Sequence, residues 1–194
     1  GTSQIGYIHR CAALRDNVYT LLAGALDVDA ERGRAFGEQL GIAPERCYAD
    51  YQTLFREEAQ RPDGIEVVSV TTPNNTHFAI TKAALEAGKH VVVDKPFTVT
   101  LSQARELESL AKHCGRILSV FHNRRWDSDF LTVSALINEG QLGEVCYFES
   151  HFDRFRPQVR QRWREQAGPG SGIWYDLAPH LLDQVVVLFG LPVS

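Results

Sequence analysis

Two stretches of the sequence bring together side chains that can hold and move a proton. In Val91-Val92-Val93-Asp94-Lys95-Pro96 an apolar run hands an acid and a lysine to its carboxyl end. A lysine held there, beside a carboxylate and facing a positive ring, gives or takes a proton where its surroundings lower its pKa. In the segment from Gly170 to Asp183, Asp176, His180 and Asp183 stand at i, i+4 and i+7 and share one helical face. Two acids flanking a histidine fix its tautomer and raise its basicity. One histidine with two acids also suits zinc or manganese, but no second histidine motif lies nearby and no metal is assigned. The plain structural readings are a solvated strand-end lysine and a buried, satisfied histidine.

A third candidate opens the chain. Gly1-Thr2-Ser3-Gln4-Ile5-Gly6 runs into a helix containing Ile8, Cys11, Ala12 and Leu14. A glycine-rich turn at a helix N-terminus offers N–H groups and a positive dipole end to a pyrophosphate, and Asp27 lies about 20 residues on, where a dinucleotide site wants an acceptor for a ribose hydroxyl. The spacing is not the strict G-x-G-x-x-G. An ordinary turn and a helix cap are the alternatives for the glycines and for Asp27. His9, His77, His113, His122 and His151 are read singly as core or surface residues. Arg124, Arg125, Arg154, Arg156, Arg160, Arg162 and Arg164 form a basic stretch that either orients an anionic or hydroxylated substrate or pairs with Glu149, Asp153 and Glu165.

Positioning these groups takes alternating strands and helices. Tyr19 to Leu26, Ile65 to Val70, His90 to Val93 and Arg116 to Phe121 read as strands buried on both faces. Between them, helices are expected from about Ala30 to Leu40, Asp50 to Gln60, Thr76 to Ala87 (with Phe78, Ala79, Ala83 and Leu85 towards the sheet) and from a Thr100/Gln103 capping box to Gly115. Strands joined by such helices need crossovers, so the sheet is expected to be parallel and doubly wound. Beyond His122 the character changes: a helix from Leu131 to Asn138, a long alternating strand from Glu144 to Asp153, and a final helix from about Trp174 to Phe189.

The composition suits this reading. The chain has 194 residues, 44% hydrophobic and 23% charged, with 20 Lys+Arg against 24 Asp+Glu and a net charge of -4, which excludes disorder, collagen and a polybasic nucleic-acid binder. No apolar run approaches the roughly 20 residues that span a bilayer, and no leader pattern opens the chain, so a cytoplasmic protein is expected. Cys11, Cys47, Cys114 and Cys146 lie too far apart for a zinc knuckle or redox dithiol and are read as buried hydrophobes in a reducing compartment.

Together and in this order, Gly6-Tyr7-Ile8-His9, Thr72-Pro73-Asn74-Asn75-Thr76-His77, Asp94-Lys95-Pro96 in place of the usual Glu-Lys-Pro, and Asp176-x-x-x-His180-x-x-Asp183 resemble the Gfo/Idh/MocA family of NAD(P)-dependent oxidoreductases. The resemblance runs from Gly1 to Ser194. It implies an α/β fold: a Rossmann-like, doubly wound parallel sheet over residues 1–122, then the start of an α+β domain with an antiparallel sheet over residues 123–194. It implies that Lys95 assists proton transfer, that His180 is the acid/base on the substrate hydroxyl and that Asp176 binds substrate beside it. Gly1 and Gly6 would meet the pyrophosphate and Asp27 the ribose. Thr72, Pro73, Asn74, His77, Asp94 and Lys95 would line the nicotinamide side, and Asn123 would contact the cofactor at the domain junction.

The implied cofactor is NAD, towards which Asp27 leans because a carboxylate repels a 2′-phosphate, with NADP as the alternative. The implied partners are a sugar or polyol and further copies of the chain, with no nucleic acid or membrane. A first family strand is expected to precede Gly1, and most of the second sheet to follow Ser194. Residues up to about 70 resemble one subgroup and those from about 73 another. The competing readings are a sensor that keeps the dinucleotide pocket without catalysis, against which the presence of both Lys95 and His180 speaks, and a Schiff-base lyase, which the adjacent Asp94 disfavours.

Overall fold

The computed structural model describes residues 3–158 and 162–193. The chain separates into two compact units, Gly1–Val120 and Phe121–Ser194.

In the first unit, Ser3, Asp29, Asp50 and Thr100 each accept a hydrogen bond from the backbone N–H three residues on. Such caps satisfy orphan donors and contribute about 1 kcal/mol each. They start α1 (Gln4–Leu14), α2 (Ala30–Gln39), α3 (Tyr51–Glu58) and α5 (Leu101–Cys114). The Gln103 carboxamide reaches back to the Val99 N–H at 3.3 Å, closing the expected capping box one residue early. Gly115, at φ 61°, ends α5 in the left-handed region that glycine enters without a Cβ penalty. Between these elements lie β1 (Val67–Val70), α4 (His77–Glu86), β2 (His90–Asp94) and β3 (Leu118–Phe121).

The sheet order is β1-β2-β3, with β1 parallel to β2 in the register Val67↔His90 to Val70↔Val93. The α/β class and the parallel sheet are those expected, because each crossover is a full helix. Val70, Val91 and Val93 meet Leu85 and Ala84 of α4 and Leu107 and Ala111 of α5 in the core. The buried stripe of α4 is His77, Thr81, Ala84 and Leu85. Ala79, expected to face the sheet, is exposed, since positions 77, 81, 84 and 85 already complete the i, i+4, i+7, i+8 face.

Two expected strands do not form. Tyr19 to Leu26 holds a single parallel bridge, Gly24↔Cys47, and Glu144 to Asp153 pairs with no strand among the described residues. A strand exists only through a neighbour that takes its N–H and C=O groups, and alternation in sequence cannot supply one. The second unit accordingly shows no antiparallel ladder among its described residues. Its helices are α6 (Ser128–Asn138) and α7 (Gly172–Phe189). The cysteines are free as expected, but Cys11 and Cys146 are exposed rather than buried.

A buried ionic staple closes the first unit. Glu58, 1% exposed, accepts from the Arg46 guanidinium, from the Tyr48 hydroxyl at 2.8 Å and from the Ile65 N–H at 3.1 Å, while Arg46 also reaches Asp63 at 3.0 Å. Burial, and then the bond to Glu58, push the Tyr48 hydroxyl up to about 12. A proton held more tightly in the folded state stabilises it fully below the unfolded pKa near 10, and that contribution is lost as pH rises through 12. The chain is therefore expected to lose about 1–2 kcal/mol between pH 10 and 12 that a Tyr48→Phe chain does not lose, as read from denaturant midpoints at each pH.

Candidate functional site

Ligands of open parallel sheets bind beyond the carboxyl ends of the strands, and in the first unit most of the candidate residues collect there. β1 runs out into Thr72-Pro73-Asn74, with Thr72 and Pro73 exposed and Asn74 buried. The loop is locked by the Thr76 hydroxyl, which lies 2.7 Å from both the Thr72 hydroxyl and the Pro73 carbonyl. The central strand, β2, ends in Asp94 and Lys95, 3% and 8% exposed, and the Lys95–Pro96 bond is cis. The Asp94 carboxylate sits 3.6 Å from the His9 ring on α1, whose other ring nitrogen is 2.9 Å from the Ser69 hydroxyl.

His77 departs from its expected role. It is fully buried, with its ring nitrogens 2.8 Å from the Pro96 carbonyl and 2.9 Å from the Thr72 carbonyl, so it touches no ligand directly. At the opposite, amino edge of the sheet lies a cavity of about 290 Å³ lined by Glu58, Arg61, Lys89, His90 and Arg116, among others. None of the candidate residues borders it.

At the start of the chain, Gly1 lies outside the described residues. Gly6 belongs to the first turn of α1 rather than to a preceding loop, and its N–H is taken by the Ser3 hydroxyl at 3.3 Å. The Gln4 and Ile5 amides precede the intrahelical ladder, where a phosphate would be met. Asp27 serves two partners through Oδ1: the Asp29 N–H at 3.0 Å and the Arg32 guanidinium at 2.7 Å. It supports the start of α2, as the capping alternative had it, and remains 13% exposed beside a cation. Amides at a helix start, an acid with an adjacent arginine, and a strand-end lysine behind a rigid loop form a donor set that fits a dinucleotide.

In the second unit, α7 carries Asp176, His180 and Asp183 in the expected spacing. Asp183 does not serve the imidazole. Its carboxylate is clamped by both arms of Arg125 at 2.7 and 2.6 Å, and it lies 3.6 Å from His122. The bond to Asp183 makes the Arg125 guanidinium hold its proton more tightly than usual. Asp176, still 28% exposed, faces the Arg164 guanidinium at 3.5 Å. His180 is 8% exposed and meets the Phe152 ring edge-on, and the Arg124 guanidinium lies over that ring, 5.0 Å from its centroid. Asn123 opens a 3₁₀ turn, Asn123–Trp126, that the Gln184 carboxamide ties to α7 through the Arg124 carbonyl at 3.0 Å.

Arg32, Arg125 and Arg164 are site residues that the sequence does not mark individually. Their signal was present in the basic stretch and in the i+5 spacing from Asp27, but which acid each arginine meets is decided by folding. Arg160 of the same stretch lies outside the described residues.

Two family models match this chain: an oxidoreductase family with an NAD-binding Rossmann fold over residues 1–122, and the C-terminal alpha/beta domain of the same oxidoreductases over residues 134–194. The chain is 79% identical over 130 residues to the uncharacterized oxidoreductase YdgJ of Escherichia coli, covering 67% of this chain and 38% of that protein. It is 46% identical over 149 residues to the scyllo-inositol 2-dehydrogenase (NADP(+)) IolW of Bacillus subtilis, covering 76% of this chain and 42% of that one. Among solved structures, an inositol dehydrogenase homolog of Azotobacter vinelandii complexed with NADH and myo-inositol superposes with a TM-score of 0.84 at 44% identity, over 97% of this chain and 50% of that one. The chain spans half or less of the length of these relatives.

Proposed function

The chain belongs to the Gfo/Idh/MocA oxidoreductase family, and from that premise we propose that it serves hydride transfer at a hydroxyl- or carbonyl-bearing carbon of a sugar, polyol or related small molecule. The observation that carries the reading is the delivery of Asp94 and Lys95 by the central strand to the sheet's carboxyl edge, beside the locked Thr72-Pro73-Asn74 loop. A bound nicotinamide dinucleotide supplies the hydride acceptor or donor.

The first unit, taken as residues 1–122, would hold that dinucleotide: the opening of α1 around Gly6 at the pyrophosphate, Asp27 at the ribose, and Thr72, Pro73, Asn74, Asp94 and Lys95 at the nicotinamide. His180 takes the proton from the substrate hydroxyl oxygen, or returns it in reduction. In the first unit the Lys95 ammonium, at the carboxyl edge of the sheet, assists proton transfer. Asp176 accepts from a neighbouring hydroxyl and so orients the carbinol carbon. Asp27 favours NAD, and Arg32 beside it is the cation through which a 2′-phosphate is tolerated. A homo-oligomer in the cytoplasm completes the reading; no helix among the described residues is long and apolar enough to cross a membrane.

The test is the reduced-nicotinamide absorbance band during incubation with NAD⁺ or NADP⁺ and a panel of inositols, hexoses and anhydrosugars. A rise with at least one polyol is expected, larger with NAD⁺. Dinucleotide binding with no turnover on any member of the panel would point to the sensor instead.

A further inference from the structure

We propose that His77 is a positioning residue: from full burial it braces the loop after β1 against the turn after β2, and thereby sets where Lys95 stands. The importance given to Lys95 rests on the proposed function; the brace itself rests on geometry.

His77 is 0% exposed and lies on the core face of α4 with Thr81, Ala84 and Leu85. A polar ring in such a place is costly unless its polar atoms are bonded. Its two ring nitrogens lie 2.8 Å from the Pro96 carbonyl and 2.9 Å from the Thr72 carbonyl. Carbonyl oxygens only accept, so the imidazole is the donor: the neutral ring gives its single N–H to one carbonyl at a time and the doubly protonated ring serves both, whereas an apolar side chain of equal size offers neither oxygen a donor.

The two carbonyls belong to different loops, following neighbouring parallel strands. Thr72 sits in a loop that is already tied together, because the Thr76 hydroxyl bridges Thr72 and Pro73. Pro96 follows Lys95 directly, so holding its carbonyl restrains the peptide that carries the lysine. With Lys95 itself only 8% exposed, its side chain has little room to compensate for a backbone shift. A histidine that merely filled space would need neither carbonyl.

The test uses neither dinucleotide nor polyol. The chain has four lysines, Lys82, Lys89, Lys95 and Lys112, so growth on lysine carrying carbon-13 at the ε position gives four resolvable signals, with Lys95 identified by its loss in Lys95→Arg. In His77→Leu the Lys95 signal is expected to move and its titration midpoint to shift by about half a pH unit or more, while the other three lysines hold. His77→Gln, which keeps a donor, should restore part of the difference. Thr81→Ala, equally buried one turn along α4, should leave Lys95 in place.

An unchanged Lys95 signal and midpoint in His77→Leu overturns the proposal, as does an equal shift in Thr81→Ala. If the leucine chain does not fold, the glutamine chain decides: a Lys95 signal identical to that of the parent overturns the brace, and a displaced one supports it. A chain that turns over no polyol sinks the proposed function and leaves this measurement intact.

Discussion

Lys95→Ala and His180→Ala are each expected to slow dinucleotide reduction by about 10²–10⁴-fold, the range over which a positioned acid or base acts. Lys95→Arg should fare little better than alanine: the guanidinium keeps the charge but is larger, planar and unable to give up its proton. Initial rates with the best polyol of the panel, alongside quenching of intrinsic fluorescence by the dinucleotide, check this. If His180→Ala lowers the rate only by weakening dinucleotide binding, the imidazole does not take the hydroxyl proton.

The second large effect concerns folding. Arg46→Ala or Glu58→Ala removes one partner of a pair that is 5% and 1% exposed, leaving Glu58 buried without its cation in the first case and Arg46 with only Asp63 in the second. Such losses run to about 3–5 kcal/mol, which lowers the thermal midpoint by about 10 °C in a chain of this size. Joint replacement, Arg46→Met with Glu58→Leu, should recover most of the loss, since a well-packed apolar pair is often as stable as a buried ionic one. Calorimetry on the three chains checks this, and equal losses in the single and double variants would contradict it.

The same staple shapes acid unfolding. Burial raises the Glu58 carboxyl, but the bonds from Arg46 and Tyr48 outweigh it and leave the carboxyl below its usual range. Its contribution is therefore present above the ordinary glutamate pKa and is lost as pH falls through the lowered one.

These two cases also show what could be read along the chain. The Lys95 and His180 motifs stand out because their neighbours in sequence impose their setting: an apolar run ending in Asp94-Lys95, and an i, i+4, i+7 face. Helices α2, α3 and α5 were legible for the same local reason, as Asp29, Asp50 and Thr100 cap amides only three residues away. The Arg46–Glu58 staple has no such signature. Its partners are 12 residues apart and look like ordinary surface charges until α3 brings them together. Asp183 was misassigned to His180 because helical spacing shows which residues share a face, not what approaches that face; Arg125, 58 residues away, claims the carboxylate.

The sequence by itself determined the α/β class, strands within Ile65 to Val70 and His90 to Val93, which the structure forms as Val67–Val70 and His90–Asp94, and the family, because periodicity, caps and motif order are local properties. Tertiary structure alone decided that Tyr19 to Leu26 and Glu144 to Asp153 do not become strands, that His77 faces two carbonyls instead of a ligand, and that arginines take up Asp27, Asp176 and Asp183. Strand pairing, burial and charge partnership are relations between distant segments, and their energies exist only once the chain has closed upon itself.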